Sequence, residues 1–193
     1  YPGFLLSTAL MPTEIELKLT IDPAHVERLR RHPVLKSMVQ GKPRRHKLHS
    51  IYFDTPEQDL LRAGFTLRLR RISGCWVQIV KGGGSAEGGL HHRNEWEWPV
   101  RGEKPEPAPS IPDLALLLTP KLLARLCPLF VTDFWRTAWQ LRTAQGAEIE
   151  LALDLGEAHA GNRCQPISEV ELELKAGEAT SLFEVALAIQ KQV

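Results

Sequence analysis

About eight alternating segments with two or three helices between and after them predict an α+β chain: an eight-stranded antiparallel β-barrel with a charged interior and flanking helices. Three observations carry this expectation. Near the two ends of the chain, Glu14-x-Glu16-x-Lys18 and Glu169-x-Glu171-x-Glu173-x-Lys175 repeat one device, carboxylates and then an ammonium at period two. In both, the opposite parity is apolar: Ile15, Leu17 and Leu19 in the first, Val170, Leu172 and Leu174 in the second. The segments between repeat the division, with charges of both signs in phase. A sheet with one wet face would explain alternation alone. Closure with the charges inside also gives the helices apolar sheet surface to bury against.

Taken in order, the first strand is followed by Asp22-Pro23, an N-cap with proline at the first helical position, and a helix carrying Val26, Leu29 and Leu35. Gly41 to Arg45 breaks the pattern before a strand over 47–54. The turn Tyr52-Phe53-Asp54-Thr55 leads into a short helix over 57–63, closed by Gly64. Strand 65–72 places Thr66, Arg68 and Arg70 on one face, and Ser73-Gly74 turns the chain into strand 76–81. Lys81 shares the parity of Val77 and Ile79, so it needs a bulge or a strand end to face inward. The glycine-rich 82–89 reads as a mobile loop, without the lysine-serine and helix start of a Walker-type phosphate cradle.

Strand 92–98 follows, with Arg93, Glu95 and Glu97 in phase. The five prolines between 99 and 112 mark a connector, and 114–126 a helix ended by Pro128. Strand 129–142 puts Phe134, Arg136, Ala138, Gln140 and Arg142 on one parity; strand 148–154 does the same for Glu148, Glu150 and Asp154. A last amphipathic helix starts near Glu178 and is still running at Val193. Met11, directly before the first motif, marks a start, so 1–10 is set aside as a leader or non-native segment and the domain is 11–193.

Composition narrows the function. With 24 basic and 23 acidic residues, no net field favours nucleic acid or an anionic membrane. No apolar run reaches the roughly 18 residues a membrane span needs. The short apolar patch in Tyr1 to Leu10 has no basic flank and fits a secretory signal poorly, so a cytoplasmic location is the expectation. Three scattered cysteines, Cys75, Cys127 and Cys164, fit a reducing compartment and are expected to fill space, and a zinc site built from them is not expected. His91-His92 are neighbours whose side chains would diverge on a strand, so a loop role is expected.

If the charged rows share a lumen, its chemistry follows from the residue types. Carboxylates without His or Cys partners suit a hard cation such as Mg2+ or Mn2+. Guanidinium forks grip phosphate oxygens in pairs. Together they suit a metal-bridged polyanion, and phosphoryl transfer uses both: neutralised non-bridging oxygens and a positioned water.

In this order, Glu14-x-Glu16-x-Lys18, Tyr52-Phe53-Asp54-Thr55, Leu67-Arg68-Leu69-Arg70, Lys81, Arg93-x-Glu95-x-Glu97, Arg136, Asp154 and Glu169-x-Glu171 resemble the CYTH family, the triphosphate tunnel metalloenzymes. The resemblance covers nearly all of 11–193. It implies a tunnel that binds triphosphate and divalent metal, and an enzyme of the group that hydrolyses inorganic triphosphate, thiamine triphosphate or RNA 5′-triphosphates, or cyclises ATP. Carried over by residue, Glu14, Glu16, Asp154, Glu169 and Glu171 look like metal ligands. Lys18, Arg68, Arg70, Lys81, Arg93 and Arg136 look like phosphate clamps. One of Glu169 and Glu171 would orient the hydrolytic water. Bacterial relatives often continue into a helical CHAD domain, which an end at Val193 would precede. The leading expectation is metal-dependent hydrolysis of inorganic triphosphate to pyrophosphate and phosphate. A non-catalytic polyphosphate-binding module, or an enzyme of the same fold acting on ATP or thiamine triphosphate, is the alternative. Glu148, Glu173 and Lys175, at strand ends, are expected in solvent. The tryptophans at 76, 96, 98 and 139 are expected between barrel and helices.

Overall fold

The computed structural model describes residues 13–109 and 111–191. The expected leader, 1–10, and the end of the expected final helix at Val193 lie outside the described residues. Eight strands form the wall: β1 (Thr13–Thr20), β2 (Val39–Asp54), β3 (Phe65–Ile72), β4 (Cys75–Glu87), β5 (Leu90–Val100), β6 (Cys127–Arg142), β7 (Glu148–Ala160) and β8 (Arg163–Ala176). Their order is β1-β5-β4-β3-β2-β6-β7-β8, and β8 pairs back onto β1, so the ring closes. Every neighbouring pair is antiparallel. The expected α+β barrel is the observed fold.

Register decides what faces inward, because residues opposed across an antiparallel ladder project on the same side. Glu14 opposes Arg93, Lys18 opposes Glu171, and Asp154 opposes both Arg136 and Glu169. Lys81 opposes Thr66 on one side and Glu95 on the other. One chain of oppositions therefore carries the charged parity around the ring. Lys81 needs no bulge to join it: Val77 opposes Arg70 and Ile79 opposes Arg68, so these two apolar residues face the lumen as well. Ile79 is buried outside both hydrophobic clusters, as are Leu48, Ala138 and Ala152, which share the lumen's parity. The interior is thus charged along part of its length and apolar along the rest.

The main hydrophobic core lies outside the wall, in two clusters. One joins the outer faces of β1, β6, β7 and β8 to α1 (Val26–Arg30), α2 (Pro33–Met38) and α6 (Thr180–Gln190), through Leu17, Leu151, Leu172, Leu29, Leu35 and Leu182. The other joins β2 to β5 to α3 (Asp59–Arg62) and α4 (Pro112–Leu117), through Leu67, Leu69, Trp96, Trp98, Leu60 and Leu114. Each fully buried leucine contributes about 1.5–3 kcal/mol. Trp76 packs against the second cluster and Trp139 belongs to the first, so the tryptophans lie where expected.

Local departures have local causes. Asp22 caps as expected, accepting from Ala24 N at 2.8 Å, but the helix after it is split: Pro33 restarts it as α2, with His32 Nδ1 accepting from Val34 N. Pro120 likewise divides the expected helix at 114–126 into α4 and α5 (Pro120–Leu123), the latter capped by Thr119. The glycine run at 82–89 is no loop up to Glu87; it extends β4, with a register shift between Gly82 and Ser85. Glycine is required there, since a Cβ on Gly84 would sit 1.8 Å from the His92 carbonyl oxygen and one on Gly82 would enter the Phe65 ring. His91 and His92 accordingly lie on β5 instead of in a loop. On the outer wall, buried Gln78 donates to Glu106 O at 2.9 Å and accepts from Glu106 N at 2.7 Å, pinning the proline-rich connector to the barrel.

Asp54 shows why the Tyr52–Thr55 turn is so composed. Its buried carboxylate accepts from the backbone N–H groups of Thr55, Leu60 and Leu61 at 2.7, 2.9 and 3.0 Å, tying β2 to α3. Asp54→Ala would strand three donors, two of them in buried bonds, and is expected to destabilise the fold by about 2–4 kcal/mol in chemical denaturation.

Candidate active site

A cavity of about 790 Å³ occupies the lumen. Its lining includes all of Glu14, Glu16, Lys18, Arg68, Arg70, Lys81, Arg93, Arg136, Asp154, Glu169 and Glu171, drawn from seven of the eight strands. Glu95, Glu173 and Lys175 join them, giving seven cations and seven carboxylates. No cysteine or histidine lines it. Glu173 and Lys175, expected in solvent, pair with each other at 2.6 Å on the cavity wall and stay partly exposed. Glu97, Glu148 and Arg142 are exposed and outside the cavity, and Glu150 is held outside it by Gln140. A second cavity, of about 400 Å³ and mostly apolar, lies outside the wall between β1, β8 and α6 and brings together none of these residues except by sequence adjacency.

The charges are locked in pairs. Lys81 Nζ reaches both oxygens of Glu14 at 2.6 Å, and Arg93 reaches Glu16 at 2.6 Å. Lys18 bridges Glu169 at 2.8 Å and Glu171 at 3.0 Å. Arg136 grips Asp154 with two bonds, Nε to Oδ1 at 2.8 Å and Nη2 to Oδ2 at 2.6 Å, and its Nη2 also donates to Glu171. Asp154, expected as a metal ligand, is here the partner of an arginine. Arg136 makes no stack on the tryptophans beside it; its guanidinium lies 5.9 Å from the Phe134 ring, and it is Arg45 that covers Trp135.

Two guanidiniums on β3 stand apart from this lattice. Arg70 donates to Ser50 Oγ at 3.1 Å and, among the described residues, has no carboxylate within ion-pairing distance. Arg68 donates to the Tyr52 hydroxyl at 3.1 Å and comes only within 3.9 Å of Glu95. Buried in the lumen, Arg68 Nε, Arg93 Nε and Thr132 Oγ1 find no hydrogen-bond partner among the described residues. Buried donors in that condition are costly unless a ligand meets them.

The electrostatics agree. Burial, and after it the neighbouring Arg68 and Arg136, pull the Arg70 guanidinium down to about 9, the mark of a cation without an anion of its own. Burial would push the Tyr52 phenol up, but Arg68, Arg70 and Lys18 outweigh it and the net direction is down. Glu171 is also pushed up by burial, yet Arg136 and Lys18 hold it down at about 2. Glu16 moves the other way: burial raises it, the pull of Lys81 opposes this, and Glu14 and Glu171 add to the rise.

Sequence reasoning missed one wall of the cavity. Tyr52 stacks on Phe130 with centroids 4.4 Å apart, and Ser50 and Thr132 join Thr66 in the polar surround of the arginines. The β2–β3 pairing, which period two alone does not give, sets Tyr52 opposite Arg68 and Ser50 opposite Arg70.

Fold and lumen define a class: a closed antiparallel tunnel lined by equal numbers of cations and carboxylates. The chain belongs to the CYTH domain family, whose sequence profile matches residues 12–192. It is similar to an inorganic triphosphatase of Haemophilus influenzae, 34% identical over 177 residues, which cover 91% of this chain and 49% of that protein. The chain thus spans about half the length of this curated relative. Among solved structures it resembles a Hippeastrum protein provisionally assigned as an adenylyl cyclase and described with a dominant triphosphatase activity: TM-score 0.60, 19% identity, 92% of this chain and 86% of that one. A Bacillus halodurans protein provisionally assigned as an adenylate cyclase aligns with TM-score 0.58 and 16% identity over 94% of this chain and 90% of its own. Among the described residues, no helix is long and apolar enough to cross a membrane.

Proposed function

We propose that this domain hydrolyses inorganic triphosphate to pyrophosphate and phosphate with a divalent cation, Mg2+ or Mn2+. The observation that carries the reading is the pair of under-compensated guanidiniums, Arg68 and Arg70, opposite rows of carboxylates in one buried lumen. The likeness to a named inorganic triphosphatase supports the choice of substrate.

The residues fit a hard cation. The donors are carboxylate oxygens alone, and Glu16 is raised by burial and by crowding from Glu14 and Glu171, a condition that a cation relieves. Glu14, Glu16, Asp154, Glu169 and Glu171 would hold it once Lys81, Arg93, Lys18 and Arg136 release them, since no three of these carboxylates converge while those cations grip them. When bound, the ion neutralises charge on the non-bridging phosphate oxygens. The seven cations and seven carboxylates leave the lumen formally neutral. A triphosphate accompanied by a cation can therefore enter with less net charge than a bare polyanion.

Lys18, Lys81, Arg93 and Arg136 would exchange their carboxylate partners for phosphate oxygens, while Arg68 and Arg70 bind without giving up a close one. Water attacks the terminal phosphorus in line, and the leaving pyrophosphate stays neutralised by the same cations. Glu171 is gripped by both Lys18 and Arg136 and is the more constrained of the two late carboxylates. Among the described residues Glu169 is held by Lys18 alone, and it is the better placed to orient the water.

The test is phosphate release from tripolyphosphate and from ATP, each with Mg2+, Mn2+ or EDTA. The expected result is metal-dependent release that favours tripolyphosphate and falls about 100-fold or more in Glu169→Gln. Preference for ATP would make this a nucleotide enzyme. Binding of tripolyphosphate without release would make it a non-catalytic polyphosphate module.

A further inference from the structure

Outside the tunnel, the β7–β8 hairpin carries another constellation. Glu157 and His159 lie two residues apart on β7, and Cys164 of β8 stands directly across from His159, so all three share one face. That face is the outer one, since Ala158 and Gln165, on the opposite parity, line the tunnel. His159 Nε2 lies 3.2 Å from Glu157 Oε2. One ligand atom from each of the three lies within 4.8 Å of the other two. Among the described residues no other three His, Cys, Asp or Glu side chains converge this closely, those of the tunnel included. The two-residue turn Gly161-Asn162, with Gly161 at φ +56°, closes the hairpin, so paired backbone holds the donors in place.

We propose that Glu157, His159 and Cys164 form a surface site for a borderline-soft divalent ion such as zinc. Thiolate, imidazole and carboxylate are the ligand types zinc takes, and three protein ligands leave the fourth position to water. The sulfur bonds the ion as the thiol proton leaves to solvent. The tunnel offers oxygen ligands only and selects hard cations, so the two sites divide metals by ligand softness. Cys164 is exposed and fills no space, contrary to expectation, and it acts here with a histidine and a glutamate, without the other cysteines. An ion bound there would clamp the hairpin whose next residues, Gln165 to Glu169, line the tunnel.

The test uses cobalt(II) as the probe, titrated into the full chain after dialysis against a chelator. A thiolate-to-cobalt charge-transfer band that saturates at one equivalent and is displaced by zinc is expected. Oxygen ligands in the tunnel cannot produce it. Cys164→Ser should abolish the band, and His159→Ala should weaken cobalt binding at least about 10-fold, the lower end of what losing even a supporting partner of a ligand costs. Cys75→Ser and Cys127→Ser should leave it unchanged. The absence of the band, or its survival in a Cys164→Ser chain with unaltered circular dichroism, would overturn the proposal whatever the tunnel hydrolyses.

Discussion

Arg136→Ala is expected to destabilise the domain by about 3–5 kcal/mol in denaturant unfolding, the usual consequence of removing one partner from a buried ion pair. Among the described residues Arg136 alone makes an ion pair with Asp154, which is 2% exposed, and it shares Glu171 with Lys18. Without the guanidinium, Asp154 is a buried carboxylate whose remaining counter-charge is the more distant Lys18. Adding Asp154→Asn to Arg136→Ala removes that charge and should restore a large part of the loss. A substrate clamp with no structural role would show neither effect. Phosphate release should fall in both variants, because the cation is absent from each.

Arg70→Ala should behave in the opposite way. No carboxylate loses a partner, only the bond to Ser50 Oγ disappears, and crowding with Arg68 and Arg136 is relieved. Stability should stay within about 1 kcal/mol of the parent. Affinity for triphosphate should drop if, as proposed, the ligand supplies the anion that Arg70 lacks among the described residues. Truncating one side of such a buried charged contact costs about 2–5 kcal/mol, or about 30-fold to a few thousand-fold in Kd. The two arginines look alike in sequence, and the lattice of ion pairs is what separates them.

What the sequence made legible is what period two encodes. Glu14-x-Glu16-x-Lys18, Arg68-x-Arg70 and Glu169-x-Glu171 could be placed on one face before any strand was paired, and all of them line the lumen. Pairing itself was not legible. That Lys81 meets Glu14, that Arg93 meets Glu16, and that Arg70 meets no carboxylate depends on strand order around the ring. Val77 and Ile79 look like core residues because they are apolar, yet the register turns them inward beside Lys81. The glycines at 82–84 suggest a mobile loop by composition, whereas β4 runs through them, and the Phe65 ring at Gly82, a φ of +68° at Gly83 and the His92 carbonyl at Gly84 make them necessary. Both cases show tertiary pairing overriding local preference.

On β3 the lumen holds two guanidiniums, Arg68 and Arg70, that its own carboxylates do not engage closely. Isothermal titration of tripolyphosphate in EDTA, so that no turnover competes, into the parent and Arg70→Ala chains tests most directly whether they bind the anion. The expected outcome is saturable binding by the parent and affinity at least about 30-fold weaker in the variant, with unfolding midpoints that agree. Equal affinity in the two chains would contradict that role and move the anion site away from β3.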